Sequence, residues 1–431
     1  MTDLASGAAL SARYRNQIRH AEALVRTIDE AVRSGTPADA ALHAHFRDNR
    51  QYGGRDRRLL SGLAFAWFRW KGWVAAPDAT PDTRAIALAA GLEGGVAPEM
   101  MTALCESAGL PPPPGELDGA ALDQKAGLFA AWTGATEPAR AADLVPGALL
   151  ELLDPAIPAP AFLVSIQSRP PVWLRLRSAR AEGEVNAALI EAGLEPLPHS
   201  AIGSALRVQP SPRLQEVLKK FPTALQVQSL ASQAVGQICA PQPRDSWWDA
   251  CCGSGGKTLH LLDQAGPTGR ILASDVRGPV FEEFAKRVGP DMSGVKTRVH
   301  DLAKGTVAGG AFDGVLVDAP CSGMGTWARN PDARWRLLPA HVEMQSQRQA
   351  VLLANAARSV RPGGRLVYSV CTLSAAETTA VADGFDRAHP GFEPLDFVHP
   401  LQERACPGRA WIAPHDSMGD GMFIAAWKRI A

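Results

Sequence analysis

The sequence lacks the features that mark secreted, membrane-bound and metal-stabilised proteins. Its seven cysteines form no CxxC pair in 431 residues, which argues against a disulfide framework and against a structural zinc site. No apolar run reaches the roughly 18 to 20 residues of a membrane span. The start, MTDLASGAAL, has no basic segment ahead of an apolar one, as a signal peptide would. We therefore expect a cytoplasmic protein without metal or membrane partners.

The chain also lacks net charge, because 44 basic residues balance 44 acidic residues. No global field therefore attracts a polyanion, but the charges are unevenly distributed. Residues 1–75 hold 12 basic and 7 acidic residues, whereas residues 76–160 hold 3 basic and 12 acidic residues. The first stretch is the better candidate for a polyanion-binding surface. A solvated helix face without a partner is the alternative interpretation.

The length predicts two or three domains rather than one. Helical apolar spacing, followed by short segments rich in Pro and Ala, predicts an all-α domain over residues 1–155. A small α+β domain is predicted over residues 156–225, where VWLRLR alternates as a strand does. Arg175 and Arg177 share one face of that strand and are candidates to contact a phosphate backbone. An ordinary solvated sheet face explains them nearly as well.

From residue 226 to 431 strand and helix patterns alternate, which predicts a largely parallel sheet covered on both faces. A first strand, Trp247 to Ala250, runs into CCGSGGKT, whose glycines permit a tight turn and a close backbone approach to a ligand. A second strand ends in Asp275, which is placed to accept hydrogen bonds from two ribose hydroxyls. The sequence contains neither a GxxxxGK[ST] phosphate loop nor a GxGxxG fingerprint.

Two cysteines follow predicted strands at the end where open α/β sheets bind ligands. FDGVLV predicts a buried strand that leads into Asp318 and Cys321, and residues 365–370 predict another that leads into Cys371. The helical pattern between them indicates a crossover, so the strands should be parallel and their ends should lie together. We expect the two thiols to share one pocket. For Cys321 alone, a buried structural cysteine is the alternative interpretation.

Several segments resemble the successive motifs of one enzyme family. DACCGSGGKT, DAPCSGMGTWARNPDARW, LVYSVCTLSAAE and GDGMF resemble motifs of the RNA 5-methylcytosine methyltransferases of the Nop2, Sun and RsmB group, and LQVQSLASQA resembles the motif that precedes that family's first strand. This resemblance covers residues 160–431. Residues 36–70 resemble more faintly the NusB-type RNA-binding domain of the bacterial 16S rRNA branch. That second resemblance favours rRNA over tRNA as the substrate.

The resemblance implies a Rossmann-like adenosylmethionine-dependent methyltransferase domain over residues 226–431, preceded by an RRM-like α+β domain and a NusB-like domain. It implies methyl transfer from S-adenosylmethionine to carbon 5 of a cytosine in RNA, through a covalent cysteine–cytosine adduct. Family precedent makes Cys371 the nucleophile, gives Cys321 a role in release, and sets Asp301 near the adenine. A monomer that acts on RNA is expected.

The chemistry of the reaction accounts for these residue types. Carbon 5 of cytosine is a poor nucleophile, so a thiolate must first add at carbon 6. Asp318 can hydrogen-bond the ring nitrogen and the exocyclic amine, and Lys257 either orients Asp318 or is an exposed lysine at a helix start. The predicted catalytic residues are Cys371, Cys321, Asp318 and Lys257. The predicted cofactor-binding residues are Cys252, Gly253, Ser254, Gly255, Gly256, Lys257, Asp275, Arg277, Asp301 and Asp318.

Two positions depart from the family pattern, and other functions stay open. Ser254 stands where the family commonly has Pro, and Val370 stands where it commonly has Thr. A DNA cytosine methyltransferase would use Cys321 as its nucleophile and has no role for Cys371. A non-catalytic ribosome-assembly factor would need neither thiol, and a tRNA methyltransferase would need both.

Overall fold

The computed structural model describes residues 2–288, 293–307 and 311–430. The helices in these residues are α1 Thr2–Arg33, α2 Ala38–Asp48, α3 Gly54–Val74, α4 Thr83–Glu93, α5 Pro98–Ala108, α6 Leu122–Thr133, α7 Gly147–Leu150, α8 Ala159–Ile166, α9 Glu182–Glu191, α10 Leu214–Lys220, α11 Leu230–Cys239, α12 Gly256–Ala265, α13 Val280–Val288, α14 Ala333–Arg336, α15 Pro339–Ala357, α16 Thr379–Ala388 and α17 Pro414–Ser417. The strands are β1 Val172–Leu176, β2 Leu197–Pro198, β3 Ala205–Val208, β4 Leu225–Val227, β5 Ser246–Asp249, β6 Arg270–Asp275, β7 Val295–Val299, β8 Phe312–Asp318, β9 Val360–Val370, β10 Phe392–Pro394, β11 Phe397–Val398, β12 Ala405–Cys406, β13 Arg409–Ile412 and β14 Met422–Arg429.

The chain divides into two compact units. Unit 1 comprises Met1–Glu151, Ala159–Ser168 and Trp327–Leu338. Unit 2 comprises Leu152–Pro158, Arg169–Thr326 and Pro339–Ala431. The segment Trp327–Leu338 lies in sequence between the two candidate thiols, yet it belongs to unit 1. The motif DAPCSGMGTWARNPDARW is therefore shared between the units, with its cysteine in unit 2 and its arginines in unit 1.

Unit 1 is helical, as the apolar spacing predicts. The stripe on α3 that carries Leu63, Trp67 and Trp70 is buried in the core of the unit. Arg334 of α14 is also fully buried, and its guanidinium donates a hydrogen bond to the backbone oxygen of Arg69 on α3 (2.9 Å). Burial and the nearby Arg69 charge lower the pKa of Arg334 to about 9. The segment that joins unit 1 from far along the chain is thus part of its core.

A small antiparallel sheet in unit 2, in the order β2-β3-β1-β4, corrects one expectation. Arg175 of β1 is buried and contacts Asp263 Oδ2 of α12 (2.6 Å) and Gln228 Oε1 (2.7 Å). Arg177 donates to both oxygens of the same Asp263 carboxylate, at 2.9 and 2.7 Å. The two arginines share a face as predicted, but the predicted phosphate contact is wrong, because α12 supplies the acid that pairs with them.

The large sheet of unit 2 has the strand order β10-β14-β9-β8-β5-β6-β7, and β13 pairs with β14. Strands β5 to β9 are mutually parallel, whereas β10, β13 and β14 run antiparallel to their neighbours. The connection β8–α15–β9 is the predicted crossover. This is a Rossmann-like fold, and it brings the carboxyl ends of β5, β6, β8 and β9 to one edge of the sheet.

None of the described helices has both the length and the apolar character that a membrane crossing requires. Within residues 2–288, 293–307 and 311–430, no three potential metal-ligating side chains come together.

Candidate active site

Two cysteine thiols meet at the carboxyl ends of β8 and β9. The sulfur atoms of Cys321 and Cys371 are 3.3 Å apart. Backbone hydrogen bonds hold the two turns together, from Ala319 N to Ser369 O (2.9 Å) and from Gly325 N to Cys371 O (3.1 Å). The prediction that the two strand ends bring the thiols together is therefore confirmed.

The GDGMF segment closes against the same turns. Gly421 donates to the backbone oxygen of Gly325 (2.7 Å). A side chain at Gly325 would lie 2.1 Å from the Gly421 oxygen, so only glycine fits this approach. Val370 is fully buried in the core and precedes Cys371 on β9. Because side chains alternate along a strand, a hydroxyl at position 370 would face away from the thiol.

One of the two thiols, Cys321, holds its proton firmly. The hydrogen bond with Cys371, then burial and the charges of Cys371 and Glu377, raise the pKa of Cys321 well above its ordinary value. Cys321 therefore stays a neutral thiol and can donate to Cys371 across the 3.3 Å contact. Since the thiolate is the nucleophilic form, Cys321 is not suited to attack in this state.

Asp318 follows β8 and is held from two sides. Its Oδ2 accepts from Lys257 Nζ (2.7 Å), and its Oδ1 accepts from the hydroxyl of Ser369 (2.8 Å). Burial would lower the pKa of Lys257, but the charge and hydrogen bond of Asp318 outweigh it and raise that pKa. The side chain of Lys257 is 13% exposed, so the interpretation as a solvent-exposed lysine is wrong. Lys257 orients the Asp318 carboxylate, and Ser369, which the sequence reasoning missed, shares that task.

The glycine-rich turn contacts the end of β6. Asp275 accepts hydrogen bonds from Gly253 N (3.0 Å) and from both the backbone and the guanidinium of Arg277. Burial would raise the pKa of Asp275, but these hydrogen bonds outweigh it and lower that pKa. The Arg277 side chain is 66% exposed. Three of the predicted cofactor-binding residues thus meet at one place.

The glycines of this turn serve different purposes. Gly255 has φ of 85°, and a Cβ there would lie 2.1 Å from the ring of Phe284 on α13. The packing of α13 against this turn therefore requires glycine at position 255, and the close approach of its backbone to a ligand stays a prediction. Gly253 has φ of 52°, and a Cβ there would meet nothing nearer than 3.8 Å. Gly253 is therefore the position that leaves room for a ligand.

The remaining predicted cofactor residues lie in or beside this turn. Cys252 is buried, burial raises the pKa of its thiol, and its backbone N–H donates to Ser274 O (2.9 Å). Ser254 and Gly256 are partly exposed in the turn itself. Asp301, beyond the end of β7, caps a short turn by accepting from Ala303 N (3.2 Å).

Sequence reasoning missed an apolar surface beside Asp275. Val276 follows that aspartate directly and is 48% exposed, and Val299 at the end of β7 is 61% exposed. Asp275 and Val299 are register partners across β6 and β7, so the exposed side chains lie close to the carboxylate. Exposed valines at strand ends of a ligand-binding edge offer a face to a flat apolar ring.

Asp249 at the end of β5 was missed as well. Its Oδ2 accepts from the hydroxyl of Thr258 (2.6 Å), whereas its Oδ1 is buried and has no hydrogen-bond partner among the described residues. Burial raises the pKa of Asp249 to about 7, opposed by the Thr258 hydrogen bond and assisted by the Asp318 charge. An aspartate at a strand end directly before a glycine-rich turn was the available signal. A buried, unpartnered carboxylate oxygen is suited to a cationic group.

Comparison with known proteins identifies the relatives of this site. Residues 236–428 match the family described as 16S rRNA methyltransferase RsmB/F. A protein of Synechocystis sp. named Probable ribosomal RNA small subunit methyltransferase B is 37% identical over 212 residues, which are 47% of this chain and 47% of that protein. The Klebsiella pneumoniae protein named Ribosomal RNA small subunit methyltransferase B is 31% identical over 265 residues, 60% of this chain and 59% of that protein. The chain thus spans about half the length of the curated relatives it matches.

Two solved structures share the fold. The structure titled Crystal Structure of PH0851 has a TM-score of 0.72 at 24% identity and covers 95% of this chain and 99% of its own. NSun6 from Pyrococcus horikoshii with SFG has a TM-score of 0.54 at 19% identity and covers 63% of this chain and 94% of its own.

Proposed function

We propose that this protein transfers a methyl group from S-adenosylmethionine to carbon 5 of a cytosine in RNA, with 16S rRNA as the substrate, because residues 236–428 match the family described as 16S rRNA methyltransferase RsmB/F. The observation that carries this proposal is the 3.3 Å pair of thiols, Cys321 and Cys371, beside Asp318. Two thiols at adjacent strand ends suit a reaction in which one attacks a base and the other assists its release.

The residues at the edge of the sheet fit S-adenosylmethionine. Its chemistry is to supply an electrophilic methyl group from a cationic sulfur. Asp275 would hold the ribose hydroxyls, and Asp301 with Val276 and Val299 would hold the adenine. The Asp249 carboxylate is buried, so it would favour the cationic cofactor through its charge rather than by direct contact.

The thiols would act in sequence. Cys371 adds to carbon 6 of the cytosine, and the ring nitrogen takes up a proton from solvent as charge develops on it. Asp318, fixed by Lys257, then accepts hydrogen bonds from that nitrogen and from the exocyclic amine. The hydrogen bond with Cys371 is the first cause that raises the pKa of Cys321, followed by burial and then by the charges of Cys371 and Glu377. Once the Cys371 sulfur is bonded to carbon it no longer carries a charge, which favours ionisation of Cys321. Cys321 can then ionise and accept the proton that leaves carbon 5, while the bond between carbon 6 and Cys371 breaks.

The proposal is tested by methyl transfer from labelled S-adenosylmethionine to three purified substrates: unmodified 16S rRNA, tRNA and duplex DNA. Digestion of the product should yield labelled 5-methylcytosine from the rRNA, and bisulfite sequencing then locates the nucleotide. Label found in tRNA alone would mean that tRNA, and not 16S rRNA, is the substrate. Label found in DNA would support the alternative of a DNA cytosine methyltransferase. Absence of transfer to any substrate by a protein that binds the cofactor would favour the assembly-factor alternative.

Unit 1 offers a surface for the RNA backbone. A cavity of about 480 Å³ on α2 and α3 is lined by His43, Phe46, Arg47, Arg50 and Arg57. Phe46 is buried, and the Arg57 guanidinium lies 5.5 Å from its ring and donates to its backbone oxygen. His43, Arg47 and Arg50 are exposed. Unlike the arginines of β1, these groups face solvent around a concave surface, which suits phosphates of single-stranded RNA.

Point substitutions test this surface better than removal of the amino-terminal region, because Arg334 of the unit 1 core donates to Arg69 on α3. Replacing Arg47 and Arg50 by Gln should weaken RNA binding and reduce the slope of log affinity against log salt by about 0.7 per lost phosphate contact. The control is Arg140→Gln, because Arg140 is an exposed arginine of unit 1 outside the cavity and, like Arg47 with Asp48, it has an acidic partner, Asp143. An unchanged salt slope in the double variant would exclude the cavity from RNA binding.

A further inference from the structure

Glu377 is a fully buried carboxylate in the segment that follows β9. Its Oε1 accepts hydrogen bonds from Ser322 N (2.9 Å) and Gln349 Nε2 (3.0 Å). Its Oε2 accepts from three hydroxyls, those of Ser322 (2.5 Å), Thr372 (3.2 Å) and Ser374 (2.9 Å). Five donors therefore converge on one side chain, which uses its full capacity as an acceptor.

These hydrogen bonds connect the two thiol-bearing turns. Ser322 directly follows Cys321, and Thr372 directly follows Cys371. The hydroxyls of Ser322 and Thr372 also contact each other at 2.8 Å. Each turn is thus tied to the same carboxylate through the residue after its cysteine, so a displacement of the carboxylate would shift one thiol relative to the other.

The carboxylate is itself held in place. Gln349 on α15 donates to Glu377 and also to the backbone oxygen of Pro320 (2.9 Å), while its own oxygen accepts from Tyr368 OH (3.0 Å). Tyr368 OH lies 2.7 Å from the backbone oxygen of Glu377. Side chains from a helix, a strand and both turns therefore form one buried network, in which each polar group restricts the others.

We propose that Glu377 is the positioning residue that sets the distance between the Cys321 and Cys371 thiols. This role rests on the function proposed above, because the distance matters only if both thiols act on one base. Glu377 is too deeply buried to touch substrate or cofactor. It acts through Ser322 and Thr372, and an acceptor-only group suits the task because all five donors are drawn toward it.

The test measures the distance between the thiols without methyl transfer. A limiting amount of hydrogen peroxide is added to the full-length protein, and the Cys321–Cys371 disulfide is quantified by peptide mass spectrometry. In forming the disulfide the two thiols lose two protons and two electrons, and each peroxide becomes two water molecules. Because the sulfur atoms start 3.3 Å apart, the wild-type protein should form the bond rapidly.

Glu377→Ala should slow disulfide formation by about 10- to 100-fold, the range expected when reacting groups shift by up to about 1 Å. Turnover in methyl transfer should fall in parallel, with cofactor affinity unchanged. If that variant fails to fold, the Ser322→Ala/Thr372→Val double variant decides, because it cuts both hydroxyl links and leaves the carboxylate three partners. It should slow the disulfide by about tenfold.

The matched control is Asp154→Asn. Asp154 is another buried acid of unit 2 that accepts from two hydroxyls, those of Thr378 and Thr379, at 2.9 Å each. Its replacement should leave the disulfide rate at the wild-type value. Wild-type disulfide rates in folded Glu377→Ala or in the double variant would overturn the positioning role. Failure of the wild-type protein to methylate RNA would instead overturn the proposed function, because the disulfide readout does not depend on it.

Discussion

Two halves of one sheet edge differ in how their buried carboxylates are partnered. In the thiol half, at the ends of β8 and β9, Asp318 has a partner on each oxygen and Glu377 has five donors. In the donor half, where the methyl donor is expected to bind at the ends of β5 and β6, Asp275 accepts from Gly253 and Arg277, whereas Asp249 keeps a buried oxygen without a partner among the described residues. Val276 and Val299 are exposed beside it.

The difference separates reaction geometry from recognition. Groups that must hold a reacting atom in place gain from being fixed by the protein itself, because no reorganisation is then needed during the reaction. Groups that recognise a ligand keep hydrogen-bonding capacity and apolar surface for it. If this division is correct, substitutions in the thiol half should mainly change turnover, and substitutions in the donor half should mainly change cofactor affinity.

The largest expected effect lies inside the thiol half. Cys371→Ala and Cys321→Ala should each lower turnover by about 10⁴- to 10⁶-fold, as loss of a covalent catalyst does. Cys371→Ala cannot attack, so no covalent complex should form. Cys321→Ala can attack but releases slowly, so a protein–RNA species should accumulate and survive denaturing electrophoresis. It should form faster as pH rises toward the thiol pKa, about 8.5 when unperturbed.

Cys406→Ala is the control for this pair, because Cys406 is a buried cysteine of β12 with no part in the site. The Cys406→Ala variant should keep wild-type turnover, and no covalent protein–RNA complex should accumulate. If a covalent protein–RNA complex accumulates with Cys371→Ala but not with Cys321→Ala, then Cys321 is the nucleophile. That result would support the arrangement of a DNA cytosine methyltransferase.

The next prediction tests whether Asp318 acts with the thiols on turnover or with the cofactor-binding residues on affinity. Asp318→Asn keeps the size of the side chain but removes the charge that faces Lys257. Turnover should fall by about 10²- to 10³-fold, the range for loss of one electrostatic contact in a transition state. Asp313→Asn, at the opposite end of β8 and paired with Arg361, is the control. A loss confined to cofactor affinity, measured by calorimetry, would move Asp318 into the donor half.

A smaller effect is expected in the donor half itself. Asp275→Ala should weaken S-adenosylmethionine binding by about 1.5 to 3 kcal/mol, the range for hydrogen bonds to a charged group. Turnover at saturating cofactor should change little. Calorimetry gives the affinity, and an unchanged value would reject the ribose assignment. Asp301→Ala tests the adenine side separately.

The smallest expected effect is a pH dependence. Because the pKa of Asp249 is raised to about 7, the side chain is largely protonated below that pH. A cationic ligand favours the ionised form, so cofactor affinity should rise about tenfold from pH 6 to pH 8. Calorimetry at both pH values measures this rise. Asp249→Asn should bind more weakly and lose the dependence, and a persistent rise in that variant would assign it to another group.

The same shift has a consequence for stability, with a definite sign. The pKa of Asp249 in the folded protein, about 7, lies above its ordinary value of 3.8, so between these values the folded state binds more protons than the unfolded state. Stability without cofactor should therefore fall as pH rises from about 4 to about 7. Asp249→Asn should remove that part of the slope in denaturant titrations.

Much of the thiol half was predictable from sequence. The apolar run before Asp318, the run before Cys371 and the helical pattern between them predicted parallel strands with adjacent ends, and the thiols lie 3.3 Å apart. Glu377 was not predictable, because its five donors come from two turns and α15. Asp249 could have been singled out from its place at a strand end before the glycine-rich turn. The lack of a hydrogen-bond partner on its Oδ1 could not have been predicted.

By itself, the sequence determined the order of strands and helices and the edge of the sheet at which the candidate catalytic residues lie. Those features follow from periodicity and from the handedness of crossovers, which are local properties. Only the tertiary structure decided which charges are paired. Arg175 and Arg177 carry the same charge as Arg47 and Arg50, yet the first two bind Asp263 of α12, whereas Arg47 pairs only with its chain neighbour Asp48 and lines an open cavity with Arg50. The difference depends on which side chain another segment brings within hydrogen-bond distance, and no pattern within one segment encodes that.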